Sequence, residues 1–311
     1  MPDDKRLINS LRPIDQKRID NLVKLQTDPM DNRDVWFTHS VFAQCFLPYR
    51  DPKTPHWIKR NGKYSVILTA GIIDHPSLID PGRVMGLPYG SKPRLFQNYY
   101  CTLAIRHQSP VIPVERSMTA MIKELQIKAT GGREGTIKPF KEQIMRYAAS
   151  HFRIAGPDGT HINAEPFRIF KVWFPENPDQ KSLWPEEIIL SDDFFYSLKH
   201  HAIPFNFEAL IPIKNNARAQ DIYLWMTQRL CRIPYNKPLL MNWKMLFEQF
   251  AGGQHSIKAF CQAFNRGLLA ARSCYPDARI EEHREGWLFY NSPPPIRKTN
   301  IAVLPVKKSG N

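Results

Sequence analysis

Residues 256–275, SIKAFCQAFNRGLLAARSCY, constrain this chain more than any other stretch. The apolar residues Ile257, Phe260, Phe264, Leu268 and Ala271 recur three or four positions apart. That spacing places them on one face of an α-helix. The opposite face carries Lys258, Gln262, Asn265, Arg266 and Arg272, and no Asp or Glu occurs from Ala251 to Pro276. Arg and Lys pair with guanine in the DNA major groove, and Asn and Gln pair with adenine. The blander alternative is an amphipathic helix with a solvated cationic face.

The chain's 311 residues are enough for two domains, and 42% hydrophobic residues are enough for packed cores. A net charge of +14 and a pI near 9.6 favour a polyanionic partner. An anionic membrane would answer that charge too, but no run of 18 apolar residues is present to span one. The first residues, MPDDKRLINSLRPID, lack the apolar core of a signal peptide, so the expected location is the cytoplasm. The five cysteines form no CxxC pair and read as reduced packing residues.

Residues 1–56 read as an N-terminal arm, with a short helix over Ile14–Lys24. Trp57–Ala70 reads as a β-hairpin turning at Asn61-Gly62, the pair a type I′ turn prefers. Helices are expected over Pro93–His107, over Met118–Leu125 after Ser117, and from Thr136 to about Phe152. Ile137, Phe140, Ile144, Ala148 and His151 would line one face of the last of these. Arg153-Ile154 and Phe167–Phe174, with a Gly156–Gly159 turn between them, suggest a hairpin. The stretch 176–191 is rich in Pro and acid and reads as a linker, with acidic residues then capping a helix over Asp193–His200. A carboxylate metal site is the alternative there. Further helices are expected over Ala217–Arg232 and, after Asn242, over Trp243–Phe250. A second hairpin is expected from Ala278 to Tyr290, turning near Glu281–Glu285, and 291–311 reads as a basic, Pro-rich tail.

Two of these helices resemble each other. Thr136, Ile137, Lys138, Phe140 and Arg146 match Ser256, Ile257, Lys258, Phe260 and Arg266, each pair 120 residues apart. Both helices follow a Gly-Gly turn and two shorter or longer helices, and both precede a hairpin. The pattern predicts an α+β chain with two tandem winged-helix domains, 57–175 and 192–290, the third helix of each entering the major groove. Lys258, Gln262, Asn265, Arg266 and Arg272 are then candidate DNA contacts in the second domain. Arg133, Lys138, Lys141 and Arg146 are their counterparts in the first. Arg153, Arg168, Arg279 and Arg284 are candidate phosphate contacts on the hairpins.

Catalytic motifs are missing from the sequence. No two of the ten histidines are separated by one residue, as a His-x-His metal pair requires, and no GxxxxGK[ST], GxSxG or HExxH occurs. The expectation is a binding protein without cofactor or metal, not an enzyme.

GLPYGSKPR from Gly86, GREGTI from Gly132, DIYLWMTQR from Asp221 and WKMLFEQF from Trp243 occur in that order. They resemble the plasmid-encoded RepA replication initiators of bacteria, over roughly Trp57 to Tyr290. The resemblance implies tandem winged-helix domains that bind repeated double-stranded sites (iterons) at a plasmid origin. It also implies opening of the adjacent duplex, recruitment of host initiator and helicase, and repression of the chain's own promoter as a homodimer. The motifs Asp221–Trp225 and Leu87–Gly90 are assigned to packing. A plain transcriptional repressor and an origin-nicking or priming enzyme are the rival readings.

Overall fold

The computed structural model describes residues 16, 19–20, 23–25, 27, 34–72, 82, 84–113, 117–132, 135–156, 161–163, 169–173, 184–253 and 256–296. Side chains are described throughout these except at 161–163, 169–173 and 184–186. The class is α+β. The chain forms two compact units, one spanning 36–204, the other 205–301 together with 1–35.

The first unit opens with β1 (Val35–His39), β2 (His56–Asn61) and β3 (Tyr64–Thr69). Residues 35–39 lie buried, so the expected N-terminal arm gives way to packed structure well before residue 56. The β2–β3 hairpin forms as expected, but Asn61 pairs with Tyr64 and the turn residues are Gly62 and Lys63. Only Gly62 is left-handed, with φ 56°, the pattern of a type II′ turn. Helix α1 (Ser91–His107) is followed by β4 (Val111–Pro113), and α2 (Met118–Glu124) starts where Ser117 Oγ accepts from the Ala120 N–H at 3.1 Å. Helix α3 (Ile137–Ala149) stops where Ser150 turns extended, so His151 begins β5 (His151–Ala155) instead of closing the helix face. Thr136 does not cap α3. Its hydroxyl donates to the Lys128 carbonyl at 2.6 Å and accepts from the Thr130 N–H at 3.0 Å, which closes the preceding loop.

The unit continues with β6 (His161–Asn163), β7 (Ile169–Trp173), β8 (Trp184–Ile189) and α4 (Asp192–His201), the last capped by Ser191. The strands form a four-stranded sheet, β2-β3-β5-β6, and a three-stranded sheet, β4-β8-β7. The expected hairpin is therefore divided: β5 pairs with β3 and β6, and β7 pairs with β8. Strand β8 occupies part of the expected linker. Pro185 is tolerated there because a register shift in β7 falls opposite it, between Lys171 and Val172. Phe96 meets Tyr147 edge to face and Tyr147 meets Phe152 at a tilt, with centroids 5.8 and 4.7 Å apart, and the hydroxyls of Tyr100 and Tyr147 meet at 2.7 Å.

The second unit contains α5 (Phe207–Leu210), α6 (Ala217–Arg229), β10 (Leu239–Asn242), α7 (Trp243–Phe250), α8 (Ile257–Arg272), β11 (Ile280–His283) and β12 (Gly286–Phe289). The chain enters it through β9 (Ala202–Asn206). Asn216, Asn242 and Ser256 each accept a backbone N–H at a helix start. Asp221 to Trp225 are all buried, as expected of a packing motif. A Cβ on Gly267 would lie 3.2 Å from Ile222 Cδ1 and 3.3 Å from Arg218 Cγ, so glycine lets α8 settle closely on α6. The sheet order is β10-β12-β11.

The two units share an element order. One runs α1-β4-α2-α3, then β7-β8; the other runs α6-β10-α7-α8, then β11-β12. Each sheet places the last strand between the first and the second: β4-β8-β7 and β10-β12-β11. In the first unit β5 and β6 are inserted between the third helix and the hairpin, and join β2 and β3.

His39 tests the packing of the first core. Its Nδ1 accepts from the Val41 N–H at 3.1 Å and its Nε2 lies 3.0 Å from Ser197 Oγ. Burial, and then the charge of His201, lower its pKa from 6.5 to about 3. Between those values the unfolded chain holds a proton that the folded chain does not, so stability should fall as pH drops from about 6.5 toward 3. The slope from this residue approaches about 1.4 kcal/mol per pH unit. His39→Gln should be less stable at neutral pH yet lose less over that window, as urea midpoints measured from pH 7 to 4 would show. Parallel curves for the two proteins would refute the assignment.

Candidate nucleic-acid interface

Helix α8 turns Phe260, Phe264, Gly267, Leu268 and Ala271 inward. Ile257, expected on that stripe, is 50% exposed instead, because it sits at the first helical position beyond the packed face. Lys258, Gln262 and Arg266 are exposed at successive four-residue steps. They form one line about 12 Å long at 1.5 Å per residue. Leu269, 44% exposed, and Arg272 extend the same open surface. Asn265 belongs elsewhere. Its Oδ1 accepts from the Trp287 indole N–H at 3.1 Å, which ties α8 to β12 and occupies the acceptor that adenine readout needs.

The β11–β12 hairpin is less suited to phosphate. It turns at Arg284-Glu285 and carries exposed Glu281, Glu282 and Glu285. Arg284 is 90% exposed and lies 3.8 Å from Glu285. Arg279 stacks over the Tyr290 ring at 5.6 Å, while the Tyr290 hydroxyl donates to Glu281 Oε2 at 2.7 Å. The three carboxylates of this hairpin offset the attraction of Arg284 for a phosphate backbone. Sequence reasoning had also passed over Lys244, exposed in the first turn of α7. Its position two residues after the Asn242 cap was the available signal.

The third helix of the first unit is built differently. Arg146, the counterpart of Arg266, is 13% exposed. Its guanidinium donates to Asp51 Oδ2 at 3.1 Å, Glu142 Oε1 at 2.8 Å and the Leu87 carbonyl at 3.3 Å, and it lies over the Tyr89 ring at 5.2 Å. Burial opposes ionisation of Asp51, but hydrogen bonds from Lys53 and Arg146 outweigh it and hold its carboxyl below the ordinary value. Gln143 accepts from the Tyr89 N–H at 2.8 Å. Leu87–Gly90 thus packs across α3 as well as leading into α1. Arg146, expected among the DNA contacts, is thus held within its own unit by Asp51, Glu142 and the Leu87 carbonyl. Lys141 is half-buried, which lowers its pKa, and Lys138 is exposed. Arg153 is exposed on β5, which follows α3 and pairs with β6 on one side and β3 on the other. Arg133 and Arg168 lie outside the described residues.

Among the described residues no cluster of three or more His, Cys, Asp and Glu could hold a metal ion. No helix among them is long and apolar enough to cross a membrane. Glu187 lies in β8, and Asp192 and Asp193 occupy the first turn of α4, where they complement its dipole.

The family model described as "Plasmid encoded RepA protein" matches residues 87–244, just over half of the 311 residues. The chain belongs to that family. No curated protein and no solved structure matches. The matched span runs from the entry of α1 to the start of α7 and stops short of α8.

The two matched arginines should behave in opposite ways. Arg146→Ala removes the bonds to Asp51, Glu142 and the Leu87 carbonyl and should cost about 1–3 kcal/mol of stability. Arg266→Ala, on an open helix face, should change stability by less than about 0.5 kcal/mol. Urea unfolding of both variants decides this, and equal losses would contradict the anchor role.

Proposed function

We propose that this chain is a plasmid replication initiator that binds repeated double-stranded DNA sites at its origin, reading bases with Lys258, Gln262 and Arg266 of α8. The observation that carries the reading is that line of exposed cationic and amide side chains on a helix free of carboxylates. The family supports the replication role. The order α6-β10-α7-α8-β11-β12, with its β10-β12-β11 sheet, supports a winged helix. In that fold the third helix enters the major groove. The same sheet order in the first unit supports a tandem pair.

The pair is unequal. Helix α8 offers base-reading groups, whereas α3 spends Arg146 and Gln143 on its own unit. Arg272, exposed on α8, and Lys244, exposed at the start of α7, would contribute phosphate contacts. The resemblance adds host initiator and helicase as partners, a homodimer as one assembly state, and a non-enzymatic mode of action in the cytoplasm. A transcriptional repressor would use the same contacts at a single palindrome.

A footprint over DNA flanking the chain's own gene tests the reading. Regularly spaced protected repeats support an initiator, a lone promoter palindrome supports a repressor, and no protection refutes both. Within a protected site, Arg266→Ala should relax preference at one base pair by about 1–3 kcal/mol. Asn265→Ala should instead weaken all sequences alike, because it loosens α8 from β12. An Arg266→Ala protein with unaltered base preference would remove α8 from the role.

A further inference from the structure

The first unit presents an open sheet face that the functional reading leaves unused. In the β2-β3-β5-β6 sheet, His56 stands beside Thr69 and His151, Ile58 beside Ile67 and Arg153, and Arg60 beside Ser65 and Ala155. Cross-strand partners share a face. His56, Ile58, Arg60, His151 and Arg153 are exposed, whereas Lys59, Val66, Leu68, Phe152 and Ile154 of the alternate rows are buried. One face therefore covers the aromatic core and the other meets solvent.

We propose that this open face is a second nucleic-acid surface, holding the sugar–phosphate backbone of duplex DNA; it rests on the DNA-binding reading above. Strands β2, β3 and β5 contain no Asp or Glu, and the exposed Lys63 extends the cationic rim at the hairpin turn. Arg60 and Arg153 lie two strands and two residues apart. At about 4.8 Å between strands and 3.4 Å per residue, that is roughly 12 Å, which suits two different phosphates. No side chain here reads a base edge in a groove: the surface is a pleated sheet of short residues flanked by cations, and phosphate contacts position a protein without specifying sequence.

A second copy of the chain is a poor occupant. A two-fold contact sets the same patch against itself. Arg60 and Arg153 would then face their own like charges. An apolar partner is also a poor match, since Ile58, 48% exposed, is the one large apolar side chain in the described open rows that is exposed, Ile67 being half-buried. The position of the sheet fits the asymmetry of the two units. Helix α3, closed over by Leu87–Gly90, runs directly into β5, so the inserted strands supply the contact surface that α3 has lost.

The test uses the full chain and two labelled duplexes, one carrying its protected repeat and one of random sequence, titrated over a range of NaCl concentrations. Arg60→Gln/Arg153→Gln should weaken both duplexes alike and flatten the log–log salt slope by about 2, near 0.9 per phosphate released. Arg60→Gln alone, on an edge strand, should flatten it by about 1. Arg60→Lys/Arg153→Lys should keep the wild-type slope, which separates charge from any loss of fold. An unchanged slope in the double Gln variant, with wild-type binding intact, overturns the sheet surface and leaves α8 standing. A changed oligomer mass, or lost binding to anionic vesicles in place of DNA, overturns it in favour of self-association or a lipid surface. A wild-type chain that bound neither duplex would overturn the functional reading itself.

Discussion

Close packing of α8 on α6 decides which groups this chain can offer to a ligand. Phe260, Phe264, Leu268 and Ala271 are fully buried, and Gly267 brings the two helices to a separation that a Cβ would crowd. A helix held that tightly has a single open stripe, and Lys258, Gln262 and Arg266 occupy it. The bond from Trp287 to Asn265 then fixes the angle between helix and hairpin. Orientation of this cationic face is thus a by-product of core packing, and it needs no separate machinery.

The two units show how one arrangement of elements diverges. Phe140 and Phe260 keep the same role, each buried in its own core. Arg146 and Arg266 do not. Arg266 stands in solvent, while Arg146 anchors Asp51, Glu142 and the Leu87 carbonyl. An arginine has a long apolar stem and five donors, so it serves a crowded interior as readily as a phosphate. What surrounds it decides, and the loop carrying Leu87–Tyr89 surrounds only the first copy.

Much of the fold was legible locally. Ser117, Asn242 and Ser256 mark helix starts, because a side-chain oxygen three residues before an unpaired N–H can satisfy it with no help from distant segments. The Trp57–Ala70 and Ala278–Tyr290 hairpins followed from alternation and turn residues. The errors share a physical origin. Strand β8 was hidden in a stretch rich in Pro and acid, because its identity comes from pairing with β4, more than 70 residues earlier in the chain. The partners of β5 were misjudged for the same reason: β3 lies far upstream, and nothing in 151–155 names it. Thr136 had the chemistry of a cap but found better partners at Lys128 and Thr130.

By itself the sequence determined the number and kind of most helices, the repeated element order, the cationic face of residues 258–266 and membership in the plasmid RepA family. These rest on periodicity, caps and residue identity, which are properties of short stretches. Only the tertiary structure decided that Arg146 meets Asp51 and Glu142, that Asn265 meets Trp287, that carboxylates line the β11–β12 hairpin, and that β2, β3 and β5 gather cations on one open face. Those outcomes depend on which distant segments meet, and a side chain's charge or hydrogen-bonding groups become available or spent only when that meeting occurs.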